Sequence, residues 1–301
     1  MCIRDSNYPL WPAIGGTVLV APSNSYKSFL VPAIAIQTSL GAEILQGNTR
    51  LATEPKPVWV LDWEAGSSAF AERLYAILKG AGLPLEPCIH YLHPTQPFVE
   101  IADQIGEEAR RRGMGGLILD SISAAMGASL NEDEPANLFW DAVERIDTPT
   151  LVTAHKNKQD ATRGKKGIFG SIMHTNRPRM VWDGYREENS KLVRWECIND
   201  NNTGHQGNTL AWRIDITNTG ENEHRRLDTV TFTAVNPDDV RQAPDEGKTL
   251  TDRIAYCLGE NGPLTAGEIA LVLGHQKASI NTTLNRGPFT KREDTRWELS
   301  T

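Results

Sequence analysis

The sequence predicts an α/β fold: a mostly parallel β-sheet with crossover helices, antiparallel edge strands on one side, and a small helical domain behind a polar linker. Three observations predict it. Short β-rich apolar runs alternate with helix-period segments through the first half of the chain, the pattern of strands joined by crossover helices. Past residue 178 the helices give way to strands that follow one another through turns. A segment rich in Pro, Asp and Gly then sets apart a compact unit of a little over fifty residues.

In order, strands are read at TVLVA (17–21), PVWVLD (57–62), CIHYL (88–92), GLILD (116–120) and PTLVTA (149–154), with helices near 27–40, 67–80, 97–112 and 133–146. Pro32 lies early in the first helix, where it removes one backbone hydrogen bond and bends the helix slightly. RMVWDGY, KLVRWECI, TLAWRIDI and DTVTFTAV extend the same sheet as an antiparallel edge. NPDDVRQAPDEGK (236–248) has linker composition. Beyond it, LTDRIAYCLGEN, TAGEIALVLG and QKASINTTLNRG read as three helices, and FTKRED with TRWELS as a short hairpin. Together these describe a winged helix-turn-helix, with Gly274 in the turn and Trp297 and Leu299 packing as core of the wing. The boundaries are therefore 7–235 for the α/β domain, 236–247 for the linker and 248–301 for the winged helix; residues 1–6 carry no apolar periodicity and stay outside this reading.

With 301 residues, 39% of them hydrophobic, the chain can bury one large core and a small extra one. No apolar run reaches eighteen residues and the start lacks a signal-peptide pattern, so a cytoplasmic protein that does not enter a membrane is expected. Cys2, Cys88, Cys197 and Cys257 lie far apart without a CxxC pair, which fits buried thiols in a reducing compartment and argues against structural zinc. The net charge of −7 is unfavourable for gripping phosphates, but it is uneven. Between Lys156 and Arg179 the charged residues are Lys156, Lys158, Arg163, Lys165, Lys166, Arg177 and Arg179 against Asp160 alone; a solvated loop is the plain reading of that stretch.

Chemistry enters at LVAPSNSYKSFL, residues 19–30. A P-loop places consecutive N–H groups and a helix N-terminus around phosphate oxygens, with Lys reaching the β and γ phosphates and Ser or Thr holding magnesium. In that spacing the chain offers Ala21, Tyr26, Lys27 and Ser28: cation and hydroxyl are in register while both glycines are replaced. Tyr26 puts a Cβ where glycine often allows a conformation that other residues resist. An ordinary strand-to-helix turn is the alternative. Further along, Asp62, Trp63 and Glu64 end the second strand, where open α/β sheets bind ligands, and a carboxylate there can polarise an attacking water. Asp120 ends the fourth as a Walker B acid and His155 the fifth, placed to sense a γ-phosphate. Each acid alone is equally readable as a helix cap or turn residue.

The succession APSNSYKS, VLDWEAGSSAFAERL, LILDSIS, VTAHKNK and GIFGSIMHTNRPRMVW resembles the RecA-like AAA ATPases of phages and plasmids, including the hexameric RepA-type replicative helicases, over roughly residues 15–235. The resemblance implies a RecA-like P-loop NTPase core, ATP and Mg2+ at a subunit interface, a ring that is usually hexameric, and action on DNA. It also implies Pro22, Ser23, Asn24, Ser25, Tyr26, Lys27, Ser28 and Phe29 around the nucleotide, Ser28 and Asp120 on the metal, Glu64 as catalytic base and His155 as sensor. Gly170 and Ser171, followed by Arg177 and Arg179, would be the region that reaches the neighbouring subunit, with either arginine as its finger. Lys158, Arg163, Lys165 and Lys166 would then line a central channel holding single-stranded DNA. In the last domain, with seven basic and six acidic residues, Gln276, Lys277, Ser279 and Asn281 sit where a recognition helix reads bases, and Arg286, Lys291, Arg292 and Arg296 where phosphates would lie. The reading is an ATP-hydrolysing, helicase-like motor of phage or plasmid replication; the alternatives are a DNA-anchored nucleotide switch or loader with little hydrolysis, and a signalling or recombination ATPase of the same fold.

Overall fold

The computed structural model describes residues 10–12, 15–23, 25–45, 54–84, 86–156, 168–186, 190–201, 204, 206–220, 226–240, 250–273, 275–292 and 294–299. They form two compact units, one reaching Val240 and the other starting at Leu250.

The first unit is built on nine strands: β1 (Gly16–Ala21), β2 (Val58–Asp62), β3 (Ile89–Leu92), β4 (Gly116–Asp120), β5 (Thr150–His155), β6 (Met180–Arg186), β7 (Leu192–Asp200), β8 (Thr209–Thr219) and β9 (Arg226–Ala234). They lie in the order β3-β2-β4-β5-β1-β6-β7-β8-β9. Helices α1 (Lys27–Leu40), α2 (Ser67–Ala81), α3 (Phe98–Arg112), α4 (Ile122–Met126) and α5 (Asp133–Arg145) fill the crossovers, and a one-turn α6 (Met173–Asn176) precedes β6. Successive side chains of β1 point to opposite faces: Leu19 and Ala21 join the core under α1, α2 and the later strands, Val18 and Val20 the core under α3, α4 and α5. Burial on both faces is why these strands read as continuous apolar runs.

One expectation is corrected. RMVWDGY does not begin the antiparallel edge, because β6 pairs with β1 in parallel and the antiparallel part starts only at β7. The chain leaves β5 at the carboxyl edge of the sheet and enters β6 at the amino edge, so β6 runs in the direction of β1. Strands β7 to β9 then curl toward α2, where Lys79 pairs with Asp228 and Leu227 N donates to Glu72 Oε1 at 3.0 Å. Gly80 permits that approach, since a Cβ there would lie 2.3 Å from the Val230 carbonyl oxygen.

The linker also begins later than its composition suggests. Asn236 Oδ1 accepts from Asp238 N at 3.1 Å, capping a 3-10 turn over Pro237–Asp239, and Val240 is buried. Residues 241–249 are outside the described residues.

The second unit contains α7 (Leu250–Asn261), α8 (Ala266–Leu273), α9 (Lys277–Arg286) and an antiparallel pair, β10 (Phe289–Lys291) with β11 (Trp297–Leu299). Ile254, Leu258, Ile269, Ile280, Leu284 and Trp297 make its core. Thr265 and Glu268 form a capping box at the start of α8, Thr265 N donating to Glu268 Oε2 at 2.8 Å and Glu268 N to Thr265 Oγ1 at 3.3 Å. Leu299, expected beside Trp297 in the core, is 43% exposed because it is the last residue of its strand and runs past the helices.

Candidate nucleotide-binding site

The turn between β1 and α1 is shaped by Tyr26, which caps the helix at φ 61°, ψ 15°. That is the left-handed conformation at the second motif glycine, held here by a tyrosine at a cost of about 1–2 kcal/mol. Its ring is fixed from two sides: the Arg186 guanidinium lies 4.2 Å from the ring centroid, and the Phe29 ring packs 6.0 Å away at 53°. Phe29 in turn lies under Arg73 at 5.9 Å. Tyr26 therefore packs against the core on the α1 side of the sheet. Pro22 is half-buried, Ser23 exposed, and Asn24 lies outside the described residues. Ser25 is 3% exposed and its hydroxyl has no hydrogen-bond partner among the described residues.

Lys27, the first residue of α1, is 9% exposed. Its ammonium donates to the Ala154 carbonyl and, at 3.1 Å, to His155 Nδ1. Burial pulls its pKa down to about 8, against the raising influence of Asp120 and Glu64 nearby. Ser28 is half-buried one residue further.

Glu64 stands on the turn after β2. Its carboxylate accepts from Ser121 Oγ and, at 3.4 Å, from His155 Nε2, so the imidazole that takes a hydrogen bond from Lys27 gives one to Glu64. The hydrogen bond to His155 is the largest of the influences that hold Glu64 down at about 2, and Ser121 and Lys27 act in the same direction against burial. Ser121 Oγ is also 2.8 Å from Ser123 Oγ, giving a hydroxyl chain that ends on Glu64. Asp120, one residue earlier, accepts from Thr153 Oγ1; burial raises its pKa, and the Thr153 hydrogen bond opposes that.

The structure thus brings Lys27, Glu64, Asp120 and His155 to one rim, at the carboxyl ends of β2, β4 and β5 and the start of the helix that follows β1. Sequence reading did not single out Ser121, Thr153 or Tyr91, which hold these charged groups in place. A signal was available for Thr153: a largely enclosed carboxylate needs a hydrogen-bond donor, and the adjacent strand carries a hydroxyl.

Other expected residues lie elsewhere. Lys156 turns back into the sheet and pairs with Asp183, the two side chains 9% and 5% exposed, so it is no part of a cationic surface. Arg177 and Arg179 lie at the opposite, amino edge of the sheet, beside a cavity of about 210 Å³ lined by Gly15, Gly16, Trp140, Glu144 and Thr148. Arg177 is engaged within its own chain by Asn137 at 3.1 Å, Asp141 at 2.7 Å and Glu144 at 3.2 Å. Gly170 and Ser171 anchor the same segment, Ser171 N donating to the Leu130 carbonyl at 2.7 Å and Ser171 Oγ to Asp133. Arg179 is exposed and has no side-chain partner among the described residues. Lys158, Arg163, Lys165 and Lys166 fall outside the described residues. In the second unit Lys277 and Arg286 are exposed at the two ends of α9.

A parallel sheet with a buried lysine opening the helix after its first strand, and carboxylates ending two neighbouring strands, is the arrangement of a P-loop ATPase domain of RecA-like type. The chain matches the AAA domain family over residues 3–161, more than half of its length, and belongs to that family. The crystal structure of the RadB recombinase shares the fold, with a TM-score of 0.51 at 15% sequence identity over 68% of this chain and 89% of that one. Comparison with curated proteins returns no match. No helix among the described residues is long and apolar enough to cross a membrane.

Proposed function

We propose that this chain binds ATP and Mg2+ at the rim formed by Lys27, Glu64, Asp120 and His155 and hydrolyses the nucleotide while acting on DNA, as a helicase-like motor of phage or plasmid replication. The observation that carries the reading is that a buried cation and an ionised glutamate meet through one imidazole, with the half-buried Asp120 ending the strand between β2 and β5. The residues fit a triphosphate: Lys27 is a nearly buried cation whose charge burial disfavours, the buried Ser25 hydroxyl has no hydrogen-bond partner among the described residues, and α1 begins here, where a helix N-terminus favours an anion. Ser28 and Asp120 would hold Mg2+, which neutralises phosphate charge as the terminal bond breaks.

In the free protein Lys27 is occupied by Ala154 and His155. Transfer of its ammonium to the phosphates removes one hydrogen bond from His155, leaving the ring to follow the terminal phosphate. Glu64, half-exposed at the rim, orients the water that attacks phosphorus; the new P–O bond forms as the bond to the bridging oxygen breaks, and the water's proton passes to Glu64. Its low pKa makes Glu64 a weak base while His155 and Ser121 both donate to it, so loosening of the His155 contact on nucleotide binding strengthens it.

Action on DNA rests on the cations that follow β5, Lys158, Arg163, Lys165 and Lys166, and on the second unit read as a winged helix, with Lys277 and Arg286 as its phosphate contacts. A homohexamer would place the first group in a central channel and Arg177 or Arg179 near a neighbouring subunit. The alternative, a nucleotide switch with little turnover, is favoured by one observation: a strained tyrosine fills the glycine position of the loop. Phosphate release measured with and without single-stranded DNA tests the two. The motor reading expects turnover that DNA stimulates. Absence of turnover at every DNA concentration ends it, and tight ATP binding with the γ-phosphate intact selects the switch.

A further inference from the structure

We propose that Tyr91, on the edge strand β3, is a positioning residue for Glu64, acting through Asp62 and the turn that carries Glu64; the inference rests on the reading of Glu64 as the group that orients the attacking water. Glu64 lies on irregular backbone, residues 63–65, where no strand ladder or helix fixes its direction. That backbone is tied to Asp62, which is 2% exposed: its Oδ1 accepts from Glu64 N and Ala65 N, both at 2.8 Å. The other carboxylate oxygen, Oδ2, is 2.9 Å from the Tyr91 hydroxyl, which also lies 2.7 Å from the Ala65 carbonyl. One phenolic proton thus serves the acid that orients the turn and the far end of the turn itself.

The neighbours of Tyr91 grip the same three residues. His93 Nδ1 donates to the Asp62 carbonyl at 2.5 Å, and Trp63 Nε1 donates to the Gln96 carbonyl at 3.0 Å while its ring meets Phe98 edge-on at 6.4 Å. Residues 91–98 therefore hold Asp62, Trp63 and Ala65 from outside, and Glu64 is the one member of the turn left to point at the rim. The four-residue strand β3, paired among the described residues only with β2, brings Tyr91 level with Val60 and so within reach of the end of β2.

Removal of the Tyr91 hydroxyl leaves a buried carboxylate oxygen of Asp62 without its donor, so that Asp62 must turn or admit water, and the N–H groups of Glu64 and Ala65 lose a fixed acceptor. Tyr91→Phe does this while keeping the ring, which packs 5.2 Å from Phe70. The expected result is a turnover about tenfold lower, the equivalent of one well-placed hydrogen bond, with ATP affinity unchanged. Because Tyr91 acts through Glu64, the same substitution in a Glu64→Gln background should lower single-turnover phosphate release no further. An equal loss in both backgrounds, or a parallel loss of ATP affinity, would overturn the assignment and make Tyr91 a residue of general structural use. Unaltered turnover in Tyr91→Phe, where Glu64→Gln is slow, overturns the positioning role alone. A wild-type chain without turnover, or one that Glu64→Gln does not slow, removes the functional reading and this inference together.

Discussion

Lys27 carries a charge that its surroundings disfavour, and this has a sign that titration can read. Its pKa is about 8 in the folded chain and 10.5 when free of the fold. Below pH 8 the folded state therefore bears the full cost of burying the ammonium, about 3 kcal/mol; stability from this group is regained as pH rises from about 8 toward 10.5, because the unfolded chain is then the better proton binder. A bound triphosphate reverses the preference by favouring the charged form. ATP binding at pH 8 should take up about half a proton, and affinity should fall as pH rises further. Calorimetry in two buffers of different ionisation enthalpy measures the uptake; a value of zero would place the phosphates away from Lys27. At Tyr26 the backbone is left-handed, which alanine tolerates as poorly as tyrosine and glycine tolerates freely. Tyr26→Gly should accordingly be more stable than Tyr26→Ala by about 1 kcal/mol in denaturant unfolding, both having lost the ring. Equal stabilities would mean that the loop does not hold this conformation in solution.

Most of the rim was legible from the sequence because its parts end or begin an element: Lys27 opens a helix, Asp120 and His155 close apolar strands, and Glu64 follows the end of another. What holds those groups was not. Ser121, Thr153 and Tyr91 carry hydroxyls whose partners lie 57, 33 and 29 residues away in the chain, and no local period encodes such a pairing. Strand direction escaped for a similar reason, since the sequence between β5 and β6 has no apolar periodicity from which the parallel pairing of β6 with β1 could be read. The structure also separates two arginines that look alike in the sequence. Arg177 braces α6 against α5 through Asn137, Asp141 and Glu144, whereas Arg179 has no such partner among the described residues. Arg177→Ala should lower stability by about 1 kcal/mol, read as a fall in Tm. Arg179→Ala should leave Tm unchanged and reduce turnover only at protein concentrations where the chain assembles. The opposite pattern would exchange the two roles.

At the scale of the molecule, an acidic chain that holds DNA must do so through a few local cations. Lys158, Arg163, Lys165 and Lys166 give four, and four phosphate contacts to a single strand predict a slope of about −3 for the logarithm of affinity against that of salt concentration. A slope near zero would rule out this stretch as the DNA grip. One much steeper than −3 would bring in the second unit, whose near-neutral charge sets it apart from the rest. Mass measured with and without ATP tests assembly: a nucleotide-induced ring agrees with a site shared between subunits, and a monomer under both conditions does not.

The central claim, that one rim both binds ATP and cleaves it, is met most directly by measuring ATP affinity and turnover side by side in the wild-type chain, Lys27→Ala and Glu64→Gln. The account predicts that Glu64→Gln keeps its affinity while turnover falls by about 10²-fold or more, and that Lys27→Ala loses affinity itself. Affinity and turnover lost to the same extent in Glu64→Gln, or full turnover in either variant, would contradict it.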